Sequence, residues 1–429
     1  MPVFSGSAFG AKWRWWLQGP LFCLYNPEVH VLLLNLYYPP DTSATAKMAQ
    51  TVVEALAGKH DVTILCGRPS YDPTERRDWR LYQSEQSGRV RVIRVGSTDY
   101  PRVQMKKRIF NYLSYVFLVV PRALVARCDV VLAMTDPPFE GIVGAFVAML
   151  KNKPYVYNIR DMYPDMAVGG AIVKPGLLAR IWEKLHRWAL RRATKVVVLG
   201  EDMRNRILAK GVDPAHVVVI RDGAELAREG AGSNELDRAV IEKIRGGSKF
   251  VLLHAGNLGF YGAWDTLVEG ARRLADQGVE LVFVGDGAER KRLEASCAGA
   301  SNVRFLPFFP VSKIPSVVAA ADAHVITVKR GLEGVVVPSK MYGILAAGKP
   351  IVALAPAECD VVSIGTAKGF SIAANPENAE ELAERVSEIA FNEDRLRRMG
   401  EAASAIAPEY ERGQELAKLV GVIEEAGRS

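Results

Sequence analysis

Two successive arrays of alternating apolar strands and helices constrain the fold of this chain more than any other feature. The strand candidates are short, rich in Val, Ile and Leu, and bounded by turn residues, as buried parallel strands are. The first array comprises His30–Asn35, Asp61–Gly67, Arg91–Gly96, Asp129–Thr135, Pro154–Ile159, Lys195–Leu199 and Val217–Ile220. The second comprises Phe250–His254, Glu280–Val284, Val303–Leu306, His324–Val328, Ile351–Leu354 and Phe370–Ile372. The pattern predicts an α/β protein with two doubly wound Rossmann-like domains that face a cleft.

The length of 429 residues also favours two domains, because it is long for a single core. We assign residues 29–222 to a first domain, and 223–248, where Gly, Ala, Ser and charged residues accumulate, to the interdomain connection. Residues 249–405 form the second domain, and 406–429 a C-terminal helix that is a candidate to cross back to the first. Residues 1–28 are an N-terminal extension with three tryptophans between Lys12 and Leu17, either disordered or an interfacial anchor.

The charge is unevenly distributed. Residues 1–200 contain 27 Lys and Arg against 15 Asp and Glu, whereas the remainder contains 28 against 33. A basic first half suggests an anionic partner there: nucleic acid, a membrane surface or a phosphorylated acceptor. Nucleic acid is disfavoured because no recognition motif accompanies the charge. The basic residues Arg102, Lys106, Lys107, Arg108, Arg122 and Arg127 are candidates for contact with an anionic membrane, although charge runs are commonly just solvated faces.

Neither a metal site nor a membrane span is predicted. The five cysteines include no Cys-x-x-Cys pair, the histidines include no His-x-x-x-His pair, and no Asp-x-Asp occurs. The scattered cysteines fit a reducing compartment. The apolar stretch Tyr115–Val120 is followed by Pro121, which we expect to end it before it is long enough to span.

The segment from Pro338 to Pro350 is the strongest single candidate for a ligand site. Pro338 fits the first position of a helix over 338–347, and Gly348 fits its exit. Unpaired N–H groups at such a start, with the Ser339 hydroxyl and the Lys340 ammonium, suit a diphosphate. An ordinary capped helix is the alternative.

Two glycine turns and an aromatic loop accompany that segment. Gly256, Asn257 and Gly259 follow the strand at Phe250, and Gly285-Asp286-Gly287 follows the strand at Glu280. Glycine lets the backbone approach an anion closely, but it also serves tight turns that bind nothing. Pro307 and Phe308 could stack on a base or belong to the core.

Taken in order, these segments resemble the family 4 retaining glycosyltransferases of the GT-B fold, in particular the bacterial surface-polysaccharide and O-antigen transferases of the WbuB/colanic acid type. The first half contributes Tyr38-Pro39-Pro40, Thr135-Asp136-Pro137-Pro138 and the run from Asn158 to Asp165. The resemblance covers roughly residues 30–425. It implies retaining transfer of a sugar from a nucleotide diphosphate donor on the second domain to an acceptor on the first, without metal ion or cofactor.

The resemblance also assigns roles to residues. Asp161 is expected beside the reacting sugar, with a helix N-cap as its alternative role, and Lys340 is expected to neutralise the diphosphate. Donor contacts are expected from Gly256, Asn257, Gly259, Gly285, Asp286, Gly287, Pro307, Phe308, Glu333, Pro338, Ser339 and Tyr342. Acceptor contacts are expected from Thr42, Ser43, Thr45, Lys47, Asp136, Arg160 and Asp165.

Two departures weaken the match. The family's paired glutamates fall on Val335 and Gly343, leaving Glu333 either as a substitute or as a solvated charge. Asn257 and Gly262 stand where the family often places a basic pair.

The resemblance as a whole leads us to expect a cytoplasmic glycosyltransferase that is peripheral at the inner face of the plasma membrane and acts on a lipid-linked saccharide. The alternatives are a catalytically silent nucleotide-sugar-binding subunit and a GT-B nucleotide-sugar epimerase.

Overall fold

The computed structural model describes residues 28–69, 80–98, 100, 105–226 and 236–428. The tryptophan-rich extension, Arg102 and the centre of the interdomain connection lie outside these residues, as does the side chain of Lys106. The strands are β1 His30–Leu34, β2 Asp61–Gly67, β3 Tyr82–Ser87, β4 Val90–Val95, β5 Val130–Ala133, β6 Tyr155–Asn158, β7 Lys195–Val198, β8 Val217–Val219, β9 Phe250–Ala255, β10 Val279–Val284, β11 Val303–Leu306, β12 Ala323–Thr327, β13 Ile351–Leu354 and β14 Ser371–Ala374.

Helices follow almost every strand. They are α1 Ala44–Ala57, α2 Met105–Val125, α3 Glu140–Lys151, α4 Asp165–Gly169, α5 Leu177–Arg192, α6 Glu201–Ala209, α7 Arg238–Arg245, α8 Trp264–Arg272, α9 Arg290–Ser296, α10 Ile314–Ala319, α11 Lys340–Ala346, α12 Asp360–Lys368, α13 Ala379–Ala390, α14 Glu393–Ile406 and α15 Arg412–Arg428.

The strands form two separate sheets, as the two arrays predict. The first has the order β3-β4-β2-β1-β5-β6-β7-β8, and the second has the order β11-β10-β9-β12-β13-β14. The pairings are parallel except that between β3 and β4. Parallel strands place their carboxyl ends at one edge of a sheet, which is where ligands bind in such folds. The α/β class with two doubly wound sheets is confirmed.

Several boundaries differ from expectation. β3 was not predicted, because its sequence Tyr-Gln-Ser-Glu-Gln-Ser is polar and the strand is a largely exposed edge. α7 falls inside the predicted interdomain connection and packs against α10 of the second domain. α11 begins at Lys340, so Pro338 precedes the helix instead of opening it. Gly348 follows the helix with a positive φ of 63°, which suits its expected place at the exit.

The C-terminal helix α15 lies against the sheet of the first domain. Leu419, Val420 and Ile423 share a buried cluster with Val31 and Val130. The chain therefore returns to the domain where it began, and the two domains are connected twice.

Helix α2 continues through Pro121, contrary to the expected stop. Among the described residues, its segment Lys107–Val125 is the one helical stretch that is long and apolar enough to cross a membrane by length and composition. The helix nevertheless packs on the first sheet. Tyr115 and Val119 are fully buried, and the Tyr115 hydroxyl oxygen lies 3.3 Å from the carbonyl oxygen of Leu65.

Candidate active site

Two glycine turns meet at the carboxyl edge of the second sheet. Gly256 follows β9 with a φ of 143°, and Gly285 follows β10 with a φ of 150°, values that L-residues with a side chain rarely adopt. A Cβ at Gly285 would lie 1.9 Å from the carbonyl oxygen of Gly256. The Gly256 N–H donates to the carbonyl of Val284 at 2.9 Å. Glycine is thus required for the two turns to touch.

The Asp286 and Gly287 positions complete this packing. A Cβ at Gly287 would lie 2.4 Å from the carbonyl oxygen of Leu258, and the Asp286 carboxylate accepts from the Gly287 N–H at 2.8 Å. The carbonyl of Gly259 accepts from the indole N–H of Trp264 at 2.6 Å. Gly259, Asp286 and Gly287, which were predicted as donor contacts, thus stabilise the turn. Asn257 is exposed beside them.

Lys340 reaches beneath the first glycine turn. Its Nζ lies 3.2 Å from Nε2 of His254 and would lie 3.3 Å from a Cβ at Gly256. Burial lowers the pKa of Lys340 to about 7. Among the described residues, no carboxylate forms an ion pair with this ammonium. A half-buried cation without a counter-ion is a place where a bound anion is favoured.

His254 is the residue of this site that the sequence analysis missed. It is fully buried, and burial together with the Lys340 charge holds its pKa well below the usual range. Its neutral ring can therefore accept a hydrogen bond from the Lys340 ammonium. The signal was present in the sequence, because His254 is the one polar residue in the apolar strand Phe-Val-Leu-Leu-His-Ala.

An apolar cavity of about 210 Å³ adjoins Gly256 and Lys340. Phe308, which is 56% exposed, and Phe309 line it from the loop after β11. Pro307 is exposed in the same loop. The structure thus brings an apolar surface, a glycine turn and a half-buried cation together on the second domain.

Asp161 lies across the cleft on the first domain, in the loop after β6. Burial and, secondarily, the negative charge of Asp136 raise its pKa to about 6. The neighbouring Met162 N–H donates to the carbonyl of Val335 at 3.3 Å. Asp161 also contributes to the raised pKa of Tyr261, which burial mainly causes. The carboxyl group therefore faces the loop that follows the Gly256 turn.

The other predicted acceptor residues divide into paired and exposed groups. Ser43 caps α1 by accepting from the Ala46 N–H at 3.1 Å, whereas Thr42 and Lys47 are exposed and Thr45 is half-buried. The carbonyl of Asp136 accepts from the Leu36 N–H at 2.7 Å.

Two predicted phosphate or acceptor contacts are internal ion pairs. Arg160 pairs with Asp222. Asp165 begins α4 and pairs with Lys210 at 2.7 Å and with Arg206 at 3.3 Å. The role of Arg160 in holding a phosphate stays a prediction, and in this structure the Asp222 carboxylate already partners its guanidinium.

Donor contacts near α11 also need correction. Tyr342 is 2% exposed, and its ring lies 5.4 Å from that of Tyr410, so it belongs to the core and does not line the cleft. Glu333 lies 3.8 Å from the guanidinium of Arg206. Ser339 is exposed next to Lys340, and Pro338 is half-buried.

A second cavity of about 720 Å³ lies between α4, α5 and α6 of the first domain and Gly331 and Leu332 of the second. Its charged lining residues are Asp165, Arg180, Glu183, Arg187, Arg206 and Lys210. Arg206 closes one end, where it donates to the carbonyls of Glu333 at 2.9 Å and Gly331 at 3.0 Å. In the described part of the chain, no group of three or more His, Cys, Asp or Glu residues is arranged to hold a metal ion.

Two family models match the chain, one for each domain. The glycosyl transferase 4-like domain matches residues 43–223, and the glycosyl transferases group 1 domain matches residues 239–405. The chain is a family 4 glycosyltransferase of the GT-B fold.

Two related proteins agree with this assignment. The putative colanic acid biosynthesis glycosyl transferase WcaI of Escherichia coli is 25% identical over 367 residues, which cover 82% of this chain and 90% of WcaI. The probable glycosyltransferase WbjE of Pseudomonas aeruginosa is 25% identical over 284 residues, which cover 65% of this chain and 70% of WbjE.

Solved structures share the fold. Anabaena Alr3699/HepE in complex with UDP superposes with a TM-score of 0.66 at 16% identity, covering 92% of this chain and 100% of HepE. The sucrose-phosphate synthase of Thermosynechococcus elongatus gives a TM-score of 0.71 at 15% identity, covering 93% and 98%.

Proposed function

We propose that this glycosyltransferase moves a sugar from a nucleotide diphosphate sugar to a lipid-linked saccharide, with retention of configuration, during synthesis of a cell-surface polysaccharide. The observation that carries the donor half is the unpaired ammonium of Lys340 beneath the Gly256 turn. The name of WcaI supports the polysaccharide context, and the HepE complexes with UDP and UDP-glucose support a nucleotide sugar donor.

The chemistry we propose requires no metal ion or cofactor. The bond between the anomeric carbon and the diphosphate oxygen breaks as the acceptor oxygen bonds to the same face of the sugar. Lys340 stabilises the charge that develops on the leaving diphosphate. The acceptor proton passes to a leaving phosphate oxygen or to Asp161, whose raised pKa suits it to accept a proton near neutral pH. Orientation across the cleft supplies the remainder of the catalysis.

Release of nucleoside diphosphate from a panel of nucleotide sugars tests this proposal, with and without lipid-linked saccharide and in the presence of EDTA. We expect acceptor-dependent release that EDTA does not abolish, and a product of unchanged anomeric configuration. Val335 and Gly343 replace the family's glutamates, which motivates the silent-subunit alternative. Donor binding without release from any sugar would favour that alternative, and interconversion of the donor without transfer would favour an epimerase.

The diphosphate assignment has its own test in Lys340→Ala. A hydrogen bond to a charged group contributes about 1.5–3 kcal/mol, so we expect roughly 10- to 150-fold weaker binding of nucleoside diphosphate by calorimetry. Lys349→Ala is the matched control, because Lys349 donates to the carbonyls of Ala319 and Ala321 just beyond the same helix. The control should lose stability but retain affinity. Equal affinities of Lys340→Ala and the unmodified chain would exclude this lysine from the donor site.

A further inference from the structure

Helices α2 and α5 expose apolar residues at the same spacing. Ile109, Phe110, Leu113 and Phe117 are exposed on α2, and Leu177, Leu178, Ile181 and Leu185 are exposed on α5. Both sets follow i, i+1, i+4 and i+8, which places each on one stripe of its helix. Phe117 is 81% exposed, Leu178 79% and Leu177 72%. We call these eight residues the docking face.

The two stripes belong to one layer of the first domain. α3 contacts α2 on one side and α5 on the other. α2 buries Tyr112, Tyr115 and Val119, while α5 buries Ala179, His186, Ala189 and Leu190. These buried positions lie on the opposite side of each helix from its exposed stripe. Exposed leucines and phenylalanines on two helices of one layer mark an interaction surface.

The charge beside the docking face is positive. α2 contains four Lys and Arg and no acidic residue. α5 contains five Lys and Arg and one acidic residue, Glu183, whose carboxylate forms ion pairs with Arg187 and Lys210. Lys107, Lys184, Arg191 and Arg192 are exposed next to the stripes. Apolar stripes with flanking basic residues match the interface of an anionic bilayer in both hydrophobicity and charge.

We propose that the docking face inserts into the surface of an anionic lipid bilayer. Helices in such a sheet begin near the carboxyl ends of the strands, so Ile109 and Leu177 lie towards the cleft. The 720 Å³ cavity is lined by Ala179 and Arg180 of α5, immediately beside Leu177 and Leu178. Docking therefore brings the mouth of this cavity to the lipid surface. That the lipid-linked acceptor enters through this cavity is a further step, which rests on the proposed function.

Cosedimentation with vesicles tests the docking without any nucleotide sugar. We expect the chain to pellet with phosphatidylglycerol-containing vesicles and to remain soluble with phosphatidylcholine alone. Phe117→Ser and Leu178→Ser remove one large apolar group from each helix. Each should lower the partition coefficient about tenfold or more, and their combination should abolish pelleting. Phe391→Ser, at a position 56% exposed on the second domain, is the matched control and should pellet normally.

Two outcomes would overturn this proposal. One is failure of the chain to pellet with anionic vesicles at low salt. The other is a dimer in sedimentation velocity that Phe117→Ser or Leu178→Ser dissociates, without vesicle binding, because the face would then join two copies. Transfer to a water-soluble acceptor is measured separately. Vesicle binding without any transfer would contradict the proposed function and leave the docking intact.

Discussion

Asp161 is the residue whose ionisation we expect to set the acidic limb of the activity profile. Burial raises the pKa of its carboxyl to about 6, and the carboxylate is the form that can accept a proton. The kcat/KM should therefore rise between pH 5 and pH 7 with an apparent pKa near 6. The diphosphate of a nucleotide sugar is esterified at both ends and does not titrate there.

The Asp161→Asn variant provides the comparison. Loss of a general base lowers rates by about 10²–10⁴-fold, and we expect the acidic limb to disappear with it. The affinity for nucleoside diphosphate should stay unchanged, because the proposed donor site is on the other domain. An unchanged acidic limb in this variant would assign the titration to another group.

Glu140 is a residue whose charge state we expect to affect stability instead of catalysis. It is fully buried at the start of α3, where one carboxyl oxygen accepts from the Tyr115 hydroxyl at 3.0 Å. Burial raises its pKa well above the usual range. The unfolded chain thus releases this proton at a lower pH than the folded chain, so this group costs stability as the pH rises above its unfolded pKa.

Glu140→Gln tests that sign. The neutral amide keeps the shape and can still accept from Tyr115, so we expect the variant to gain free energy of unfolding relative to the parent between pH 5 and pH 8. Urea unfolding of both proteins at pH 5 and at pH 8 measures the difference in free energy of unfolding. If the gain in free energy of unfolding were larger at pH 5 than at pH 8, the inference that Glu140 is protonated in the folded chain would be contradicted.

At the scale of elements, the glycine turns provide the clearest prediction. Gly285→Ala places a Cβ 1.9 Å from the Gly256 carbonyl oxygen at a φ of 150°. The two turns must separate, so we expect weaker binding of nucleoside diphosphate and a loss of stability. Gly299→Ala is the control, because its φ is also positive at 86° but nothing lies within 4 Å. The control should cost about 1–2 kcal/mol of stability, the cost of an L-residue in the left-handed region, and leave affinity unchanged. Equal effects of the two variants would contradict the packing argument.

How far the sequence predicted the elements depends on where each one packs. Buried strands such as β1 and β9 were predicted, because burial on both faces leaves a continuous apolar run. β3 was missed because an edge strand needs no apolar face. α7 was missed because it is short and four of its eight residues are charged, and an isolated helix of that length is stable only with tertiary contacts such as those with α10.

The contacts of the candidate site were predicted less completely than the fold, for a physical reason. The sequence named Lys340 and Gly256 as candidates separately, but the contact between them joins positions 84 residues apart along the chain. The ion pairs that occupy Arg160 and Asp165 likewise join separate elements, so sequence spacing gave no sign of them.

At the scale of the whole molecule, Asp360 joins the two domains. Its buried carboxylate, at the start of α12, accepts from the backbone N–H groups of Glu201 at 3.1 Å and Asp202 at 3.3 Å, at the start of α6. It also pairs with Arg221 at 3.1 Å. Removing one partner of a buried ion pair typically costs about 3–5 kcal/mol, because the remaining charge is left uncompensated.

Asp360→Ala should therefore loosen the domain arrangement without harming the proposed donor site. Gly256, Lys340 and Phe308 all belong to the second domain, so calorimetry should give an unchanged affinity for nucleoside diphosphate. In the proposed mechanism transfer requires Asp161 to face that site, so kcat should fall and small-angle scattering should show a larger radius of gyration. Asp394→Ala, which removes a carboxylate 80% exposed on α14, is the control and should change neither quantity. Loss of nucleotide affinity in Asp360→Ala with an unchanged radius of gyration would mean that the donor site depends on the domain contact itself.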